Sequence, residues 1–366
     1  MSQALADILV LDVSGTVSTT YCAKLFADYG ATVVNLEPEG GFPTRKLPPH
    51  IQDATCGSAM HAYLNANKQS VRREQLSNDE FSRLVSQADL VLDDGGAEQN
   101  LRDAGLCMSI TWYGEEGPYA DFVGTDAQCF ALNGMLRTIG HVDGPPLIPT
   151  GYQAQIVGGM TAFIGAMGQV LARELNPSSV PLQMQTSIFE AMLCFTEVGV
   201  ITAFNTGLEG HRLGINRFPP TYPLGVFPCK DGWIGLTVLT PSQWHAFCAL
   251  LDMPEFSEVD LFQSTSGRLE AVDLIEPVIC EKLLSQSAEE LFYRAQNSAV
   301  PLARVPTMEE LFQVDQFVQR NAFAEVDLGN GKSLQAPTIP FRLFATPPIL
   351  GGAVAPLGAD TAGYKS

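Results

Sequence analysis

The chain has 366 residues, of which 46% are hydrophobic, and it carries a formal net charge of −19. This length is enough for one large domain or two ordinary ones. The strong negative charge argues against nucleic acid or an anionic membrane as a partner, because both would repel such a surface. The opening sequence MSQALADILVLDV lacks the basic stretch and cleavage site of a secretory signal, and no apolar run is as long as a membrane span. We therefore expect a soluble, cytoplasmic protein.

Cysteine and histidine usage predicts neither a disulfide scaffold nor a metal site. The eight cysteines include no CxxC pair, and the five histidines show no HxxH or HExxH spacing. We expect buried free thiols and no bound metal.

The start of the chain reads as a strand, a helix and a second strand. DILVLDV (7–13) and TVVNLEP (32–38) are apolar runs rich in β-branched residues, and TTYCAKLFADYGA (19–31) has apolar residues at helical spacing. This order is typical of a βαβ unit in a parallel sheet. The turn after the first strand, SGTVSTT, lacks the G-x-G-x-x-G fingerprint, so a nicotinamide-dependent enzyme is disfavoured.

The next elements continue an α/β pattern. Strands are expected at 88–94 and 107–113, and helices near 126–137 and at about 154–174. A further strand and another long helix are expected within PLQMQTSIFEAMLCFTEVGVITAFNTG.

The second half of the chain predicts a smaller domain inserted into the first, which begins at residues 1–204. Residues 205–220 are rich in glycine and proline and are expected to form a linker. Residues 221–325 are expected to form an α+β domain, with a hairpin at VFPCKDGWIGLTVL and a proline-broken helical stretch over 288–323. Residues 326–366 are proline-rich and are expected to return, extended, to the large domain.

Basic residues are scarce, with 21 lysines and arginines in the chain, yet five of them fall between positions 45 and 73. They are Arg45, Lys46, Lys68, Arg72 and Arg73. A nucleotide with several phosphates would need such a patch. A solvated charged loop explains the cluster equally well.

Several segments resemble the class III CoA-transferases, the CaiB/BaiF family. They include VLDVSGTVSTTYCAKLFADYGATVVNLEPEGG, the LN-x-NK-x-S segment LNANKQSV, the glycine-tyrosine loop SITWYGEEGPYADFVGTDAQCFALNGML, and the hairpin region YPLGVFPCKDGWIGLTVLTPSQWHAFCALL. The resemblance covers nearly the whole chain. It implies a Rossmann-like large domain with an inserted smaller α+β domain, and two subunits interlocked like links of a chain.

The resemblance also implies a reaction. Family members move CoA between carboxylic acids: an aspartate attacks the acyl-CoA thioester, and anhydride and thioester intermediates follow. The substrates would be CoA or acyl-CoA and a small carboxylic acid, and the implied nucleotide side includes Arg45 and Lys68, so we expect CoA phosphates near Arg45, Lys68, Arg72 and Arg73. The partner would be a second copy or a related family subunit.

The family's catalytic aspartate lies four residues before a glycine at the start of the long helix, and counting back from Gly159 gives Gln155. A neutral amide is a far poorer nucleophile than a carboxylate, although it can still orient a carbonyl. Asp126 is the nearby carboxylate that we consider for acid/base work or as an alternative nucleophile. Glu190 also fits the family pattern, as it would a solvent-facing acid. The position of the histidine in related racemases is Thr125, which disfavours that reaction.

Other departures affect the expected CoA site. The family's Ala-Gly-Pro after the first strand is Ser18-Thr19-Thr20 here. Its Asn-Phe-x-Pro-Gly turn is replaced by two acids and two glycines at 93–96, and the stretch that follows, 97–106, is shorter than usual. The added acids would repel phosphates.

Two functions from different classes remain open. In the first, the chain is a CoA-transferase in which Asp126 or the substrate's own carboxylate replaces the missing aspartate. In the second, it is a catalytically inactive subunit that supports a competent relative in a mixed dimer. Another acyl reaction, such as that of a lyase or isomerase, is a third alternative.

Overall fold

A computed structural model of the protein describes residues 3–96, 101, 105–176, 182–207 and 212–365. The chain forms two compact units. The first comprises Met1–Leu136, Ile148–Glu209 and Val314–Ser366, and the second comprises Arg137–Leu147 and Gly210–Gln313. The predicted domain limits stay a prediction, because compactness within one chain does not establish independent folding.

The first unit is built on a six-stranded sheet. Its strands are β1 (Leu9–Asp12), β2 (Thr32–Glu37), β3 (Gln69–Arg72), β4 (Leu90–Asp93), β5 (Leu106–Thr111) and β6 (Gln183–Ser187). Their order is β3-β2-β1-β4-β5-β6, and every neighbouring pair is parallel. The predicted α/β fold is thereby confirmed. The order reverses direction between β1 and β4, which is the place where open parallel sheets form a ligand-binding crevice.

Seven helices of this unit lie within the described residues that precede the second unit's main segment. They are α1 (Val17–Asp28), α2 (Ala59–Asn65), α3 (Asn78–Gln87), α4 (Asp126–Leu132), α5 (Gln153–Leu175), α6 (Ile188–Ala191) and α7 (Glu197–Thr206). The α1 helix begins where the Thr16 hydroxyl accepts the Thr19 N–H, and Gly30 follows its end with a φ of 99°. One face of the sheet buries Val10 and Val33 against Phe26 of α1.

The long helix α5 packs against α1 through a glycine. A Cβ on Gly159 would lie 2.6 Å from the Ser18 carbonyl oxygen and 3.2 Å from the Cys22 nitrogen. The neighbouring Gly158 approaches Ile188 of α6 in the same way, with a Cβ-to-Cγ1 distance of 2.7 Å. These two close contacts fix the first turns of α5 against the start of α1 and the end of the sheet.

Three helical predictions differ from the structure. The helix expected at 126–137 ends at Leu132 and is followed by a separate 3-10 turn. The single long helix expected after β6 is broken, because the segment Ile188–Phe195 meets α7 at an angle of 74°. The α5 helix, in contrast to our expectation, has the length and hydropathy of a membrane span, with 23 residues and a mean of 1.3. A third of that stretch is buried, so it is not a clear membrane span, and the cytoplasmic location stays a prediction.

The second unit contains an antiparallel sheet and five helices within the described part of the chain. The strands are β7 (Leu224–Cys229), β8 (Gly232–Thr237) and β9 (Leu302–Arg304). The helices are α8 (Pro241–Leu250), α9 (Pro254–Ser257), α10 (Thr265–Glu270), α11 (Val272–Leu284) and α12 (Ala288–Asn297). The predicted hairpin is confirmed, since Cys229 pairs with Gly232 across the turn. The helical stretch expected over 288–323 was partly wrong, because β9 lies in its middle and adds a strand to β8.

The last segment belongs to the first unit. It contains α13 (Asp315–Gln319), β10 (Phe323–Gly329), β11 (Lys332–Pro337) and β12 (Gly352–Ala353). Beyond β12 the chain runs along β3, where the Asp360 carboxylate accepts the Ser70 N–H at 2.8 Å. The Thr361 hydroxyl accepts the Arg72 N–H at 3.0 Å. The C-terminal residues therefore cover the outer edge of the parallel sheet.

Candidate active site

A cleft of about 560 Å³ opens at the carboxyl ends of β1, β2 and β4. Its walls include Ser14, Pro38, Arg73, Phe81 and Asp94. It therefore lies at the point where the strand order reverses, which is the usual ligand position in this architecture. The cleft combines an apolar ring, a cation and two acids, a mixture of apolar and polar groups of the kind found in ligand sites.

The turn that forms one wall of the cleft is held by a buried acid. The Asp12 carboxylate accepts the N–H groups of Ser14 and Gly15 at 3.2 and 3.0 Å. Gly15 has a φ of 67°, and the ring of Phe42 would lie 2.1 Å from a Cβ at this position, so only glycine fits. The Ser14 hydroxyl donates to Asp94 at 3.0 Å. This link joins the turn after β1 to the turn after β4.

Lys68, predicted to bind phosphate, is buried behind this turn with 4% of its surface exposed. Its ammonium donates to the Thr20 carbonyl oxygen at 2.8 Å and to Asn65 Oδ1 at 3.1 Å. Burial lowers the pKa of Lys68 to about 7, and the nearby Asp12 charge opposes that shift. Burial raises the pKa of Asp12, and the Lys68 charge opposes it in turn. Lys68 thus supports the fold from inside and does not line the cleft.

Arg45 is occupied by an internal ion pair. Its Nε donates to Glu37 Oε2 at 2.7 Å and its Nη2 to Glu37 Oε1 at 2.5 Å. Hydrogen bonds from Arg45, Ser70 and the Phe42 N–H outweigh burial and lower the pKa of Glu37. Glu37 ends β2, where a ribose-binding acid is found in dinucleotide enzymes, but here it is fully buried by these partners.

Arg72 and Arg73 lie nearer the surface and are half-buried. The Arg73 guanidinium stacks over the Phe81 ring at 3.8 Å from its centre and forms part of the cleft wall. The Arg72 side chain runs over Gly358 of the C-terminal segment. The four predicted phosphate ligands are therefore not brought to one surface, and Arg73 is the member that lines the cleft.

The start of α5 carries the second set of predicted residues. Asp126 Oδ1 accepts the N–H groups of Ala154 and Gln155 at 2.8 and 3.2 Å. Asp126 Oδ2 accepts the Gln155 side-chain N–H at 2.8 Å. The structure thus brings Asp126 and Gln155 into direct contact. Asp126 supplies the cap that Tyr152 does not, since no side chain at the N-cap position of α5 makes a capping hydrogen bond.

The other predicted positions have ordinary structural contacts. Thr125 caps α4, where its hydroxyl accepts the Gln128 N–H at 3.4 Å. Glu190 is exposed on α6. Cys129, one turn after Asp126, is fully buried, and burial raises the pKa of its thiol to about 12. The shortened stretch at 97–106 lies largely outside the described residues.

Sequence reasoning missed a second cavity beside the cleft. It has a volume of about 530 Å³ at the ends of β4 and β5, and four acids line it: Asp94, Glu115, Glu116 and Asp121. Trp112 and Phe122 form its apolar wall. The Glu-Glu pair in TWYGEEG was visible in the sequence, but nothing there placed it beside the acids at 93–94. Within the described ranges, no three or more His, Cys, Asp or Glu side chains, these acids included, are placed so that they could hold one metal ion.

Comparison with known proteins agrees with this architecture. The profile of CoA-transferase family III matches residues 5–361. A CaiB/BaiF family protein from Brucella suis has the same fold, with a TM-score of 0.85, 20% identity, and coverage of 99% of this chain and 98% of that chain. The chain therefore belongs to CoA-transferase family III, a class of enzymes that transfer CoA between carboxylic acids.

Three relatives are 25–27% identical to the chain over the residues that align. A succinate–glutarate CoA-transferase of Agrobacterium fabrum is 25% identical over 94% of this chain and 90% of its own length. The alpha subunit of a succinyl-CoA–L-malate CoA-transferase of Chloroflexus aurantiacus is 25% identical over 98% and 87%. A probable CoA-transferase of Mycobacterium tuberculosis is 27% identical over 90% of this chain, which spans only 43% of that protein's length.

Proposed function

We propose that this chain transfers CoA from an acyl-CoA thioester to a small carboxylic acid without forming a covalent aspartyl intermediate. The observation that carries the proposal is the chemistry at the start of α5. From the spacing to Gly159 we infer that Gln155 stands at the position of the family's aspartate, and an amide does not form an acyl or thioester intermediate. The adjacent carboxylate, Asp126, already accepts three hydrogen bonds.

The acceptor acid would supply the nucleophile. Its carboxylate oxygen attacks the thioester carbonyl carbon, the carbon–sulfur bond breaks, and a mixed anhydride and CoA thiolate form. The thiolate then attacks the acceptor's carbonyl carbon in the anhydride, which releases the donor acid as a carboxylate. The Gln155 amide, which has a second N–H available, would orient the thioester carbonyl during both steps.

We propose the cleft at the reversal of strand order as the CoA site. Arg73 would contact a phosphate group, and the Phe81 ring would remain its support. Arg72 lies next in sequence and is half-buried, so it is a second candidate for phosphate contact. Arg45 and Lys68 would act indirectly, because both side chains are engaged inside the protein. Succinyl-CoA is the first donor to test, because the names of two relatives contain it or its acid.

We further propose that two chains interlock, and that the partner is a second copy. The α7 helix carries Val198, Val200, Ile201 and Phe204, all of them exposed in the single chain, and Phe204 is 90% exposed. An apolar helix face of this kind, left exposed on a single chain, marks a contact with other protein. Threaded chains separate only by partial unfolding, so sedimentation at low concentration should show no monomer. Phe204→Asp should produce monomer or aggregate, and a freely reversible monomer–dimer equilibrium of the wild type would contradict interlocking.

Kinetics test the proposed mechanism directly. With succinyl-CoA as donor and a panel of small acids as acceptors, initial rates should give intersecting double-reciprocal lines, because both substrates must be bound together. Hydroxylamine or borohydride should label neither Gln155 nor Asp126 in the wild type. Gln155→Asp should restore a carboxylate at this position and yield an adduct there by mass spectrometry.

Three outcomes would contradict the proposal. Parallel double-reciprocal lines, together with a covalent adduct at Asp126, would mean that Asp126 is the nucleophile. Activity that survives loss of both Gln155 and Asp126 would mean that neither carries the chemistry. Absence of transfer by the pure protein, with activity on addition of a family member bearing the aspartate, would favour the inactive-subunit alternative. The subunit named among the relatives makes this last experiment worthwhile.

A further inference from the structure

In the side-chain contact between Asp126 and Gln155, Asp126 is the acceptor and the Gln155 amide nitrogen is the donor. An ionised carboxylate can only accept hydrogen bonds, whereas a glutamine amide has an oxygen that accepts and a nitrogen that donates. Asp126 Oδ2 therefore requires the Gln155 nitrogen, which lies 2.8 Å away. The Gln155 oxygen must point elsewhere, because the two polar atoms diverge from one carbon. Within the part of the chain that the structure describes, no residue donates to that oxygen.

The Asp126 carboxylate, which determines how the Gln155 amide is oriented, is itself held by two helices. Asp126 is the first residue of α4, whose Phe130 and Cys129 are buried in the core of the first unit. Its other oxygen binds the Ala154 and Gln155 backbone N–H groups, which face it from the positive end of the 23-residue α5. Both helices thus fix the same carboxylate. Its oxygens are also separated by role, with Oδ1 capping the backbone and Oδ2 binding the side chain.

We propose that Asp126 is a positioning residue that fixes the orientation of the Gln155 amide, and that it is neither a nucleophile nor a general base. One Gln155 N–H is held by Asp126, and the second N–H and the carbonyl oxygen are left for the substrate. The inference rests on the proposed function, because it assumes that the Gln155 amide contacts the thioester. A rotated amide would exchange its donor and its acceptor and would place an oxygen where a carbonyl must be bound.

The variant Asp126→Asn should disturb the orientation of the Gln155 amide while the start of α5 stays capped. The new side chain keeps an oxygen that can accept the Ala154 and Gln155 backbone N–H groups, so the start of α5 stays capped. Its other polar atom becomes an NH₂ group facing the Gln155 nitrogen, and two donors cannot bond to each other. The Gln155 amide should therefore rotate or detach. We expect kcat to fall about tenfold or more with little change in KM, and the thermal midpoint to fall by only a few degrees.

The pH profile distinguishes positioning from base catalysis. If Asp126 is a positioning residue, the acidic limb of the kcat profile should be unchanged in Asp126→Asn while the plateau falls. Disappearance of that limb would overturn the proposal, because it would identify Asp126 as the titrating base. Asp79→Asn is the matched control: it removes the same charge from the first turn of α3, where Asp79 is exposed, and should leave the rate unchanged.

A spectroscopic measurement tests the orientation without any catalysis. In protein labelled with ¹⁵N-glutamine, the Gln155 side-chain signal is the one lost in Gln155→Ala. One of its two amide protons should be shifted downfield by the charged acceptor in the wild type and in Asp79→Asn. That shift should disappear in Asp126→Asn. An unchanged signal in Asp126→Asn would refute the positioning contact even if CoA transfer is observed, and a lost shift would support it even if the proposed function fails.

Discussion

Gly159 is the position where the contact between two helices sets the geometry of the candidate site. In Gly159→Ala, the new Cβ would lie 2.6 Å from the Ser18 carbonyl oxygen, well inside the 3.4 Å at which ordinary contact begins. The obstacle is backbone, so α1 and α5 must separate by up to about 1 Å. Overpacking of this kind costs about 1–3 kcal/mol. Alanine regains about 0.5–1 kcal/mol through its better helix propensity.

We therefore expect Gly159→Ala to lower the free energy of unfolding by up to about 2.5 kcal/mol, measured by urea denaturation. The start of α5 also moves, and a misplacement of about 1 Å at a reacting group can lower the rate roughly a hundredfold. Gly168→Ala on the same helix is the control, since within the described residues no atom beyond its chain neighbours and its own helix backbone lies within 4 Å of the new Cβ. It should be neutral or stabilising. A Gly159→Ala protein as stable and active as wild type would refute the argument from helix contact.

Three further predictions concern titratable residues. Arg73→Ala should weaken CoA binding about tenfold or more by calorimetry, because it removes the cation from the cleft wall, and unchanged affinity would place CoA elsewhere. Lys68→Met should leave CoA affinity nearly unchanged but lower the free energy of unfolding by about 1–3 kcal/mol, because it removes the two buried hydrogen bonds of the Lys68 ammonium and the positive charge near the Asp12 carboxylate; the opposite pattern would make Lys68 a ligand-binding residue. Burial, helped by the Arg45 charge, lowers the pKa of His61 from 6.5 to about 3. His61 therefore gains a proton on unfolding between these values, so its contribution to stability is complete above pH 6.5 and is lost as the pH falls towards 3, with a slope of up to about 1.4 kcal/mol per pH unit. In His61→Gln, this part of the acid destabilisation should be missing from denaturation curves recorded between pH 3 and 6.5, and an unchanged slope would show that His61 is not held neutral.

The strands and helices whose sequences show a clear apolar or helical spacing were predicted correctly. The runs that became β1 and β2 are apolar and β-branched, and the helical spacing between them became α1. The α5 helix was also predicted, to within a residue at either end. The break between α6 and α7 was not predicted, because both segments are apolar and helical and the Thr196 backbone that divides them has no sequence signature.

The candidate site was predictable in its residues but not in its contacts. Asp126 and Gln155 are separated by 29 positions, and only the fold shows that one caps the helix of the other. Lys68 shows the opposite difficulty. A cluster of basic residues in sequence suggests a surface patch, yet one member of this cluster is enclosed by the fold and donates hydrogen bonds inside it. The density of charged residues along a sequence does not show which of their side chains are buried.

The C-terminal cover of the sheet edge has a consequence for synthesis. Ser70 and the Asp360 carboxylate that binds it are separated by 290 positions. At about 5–20 residues per second, a ribosome needs roughly 15–60 s to travel between them. During that time β3 emerges as an uncovered edge, which is a template for pairing with other chains. The edge of β3 would therefore stay open to pairing with other chains until the segment around Asp360 has been made, and a fusion tag inserted next to this segment would lie beside the edge that it must cover.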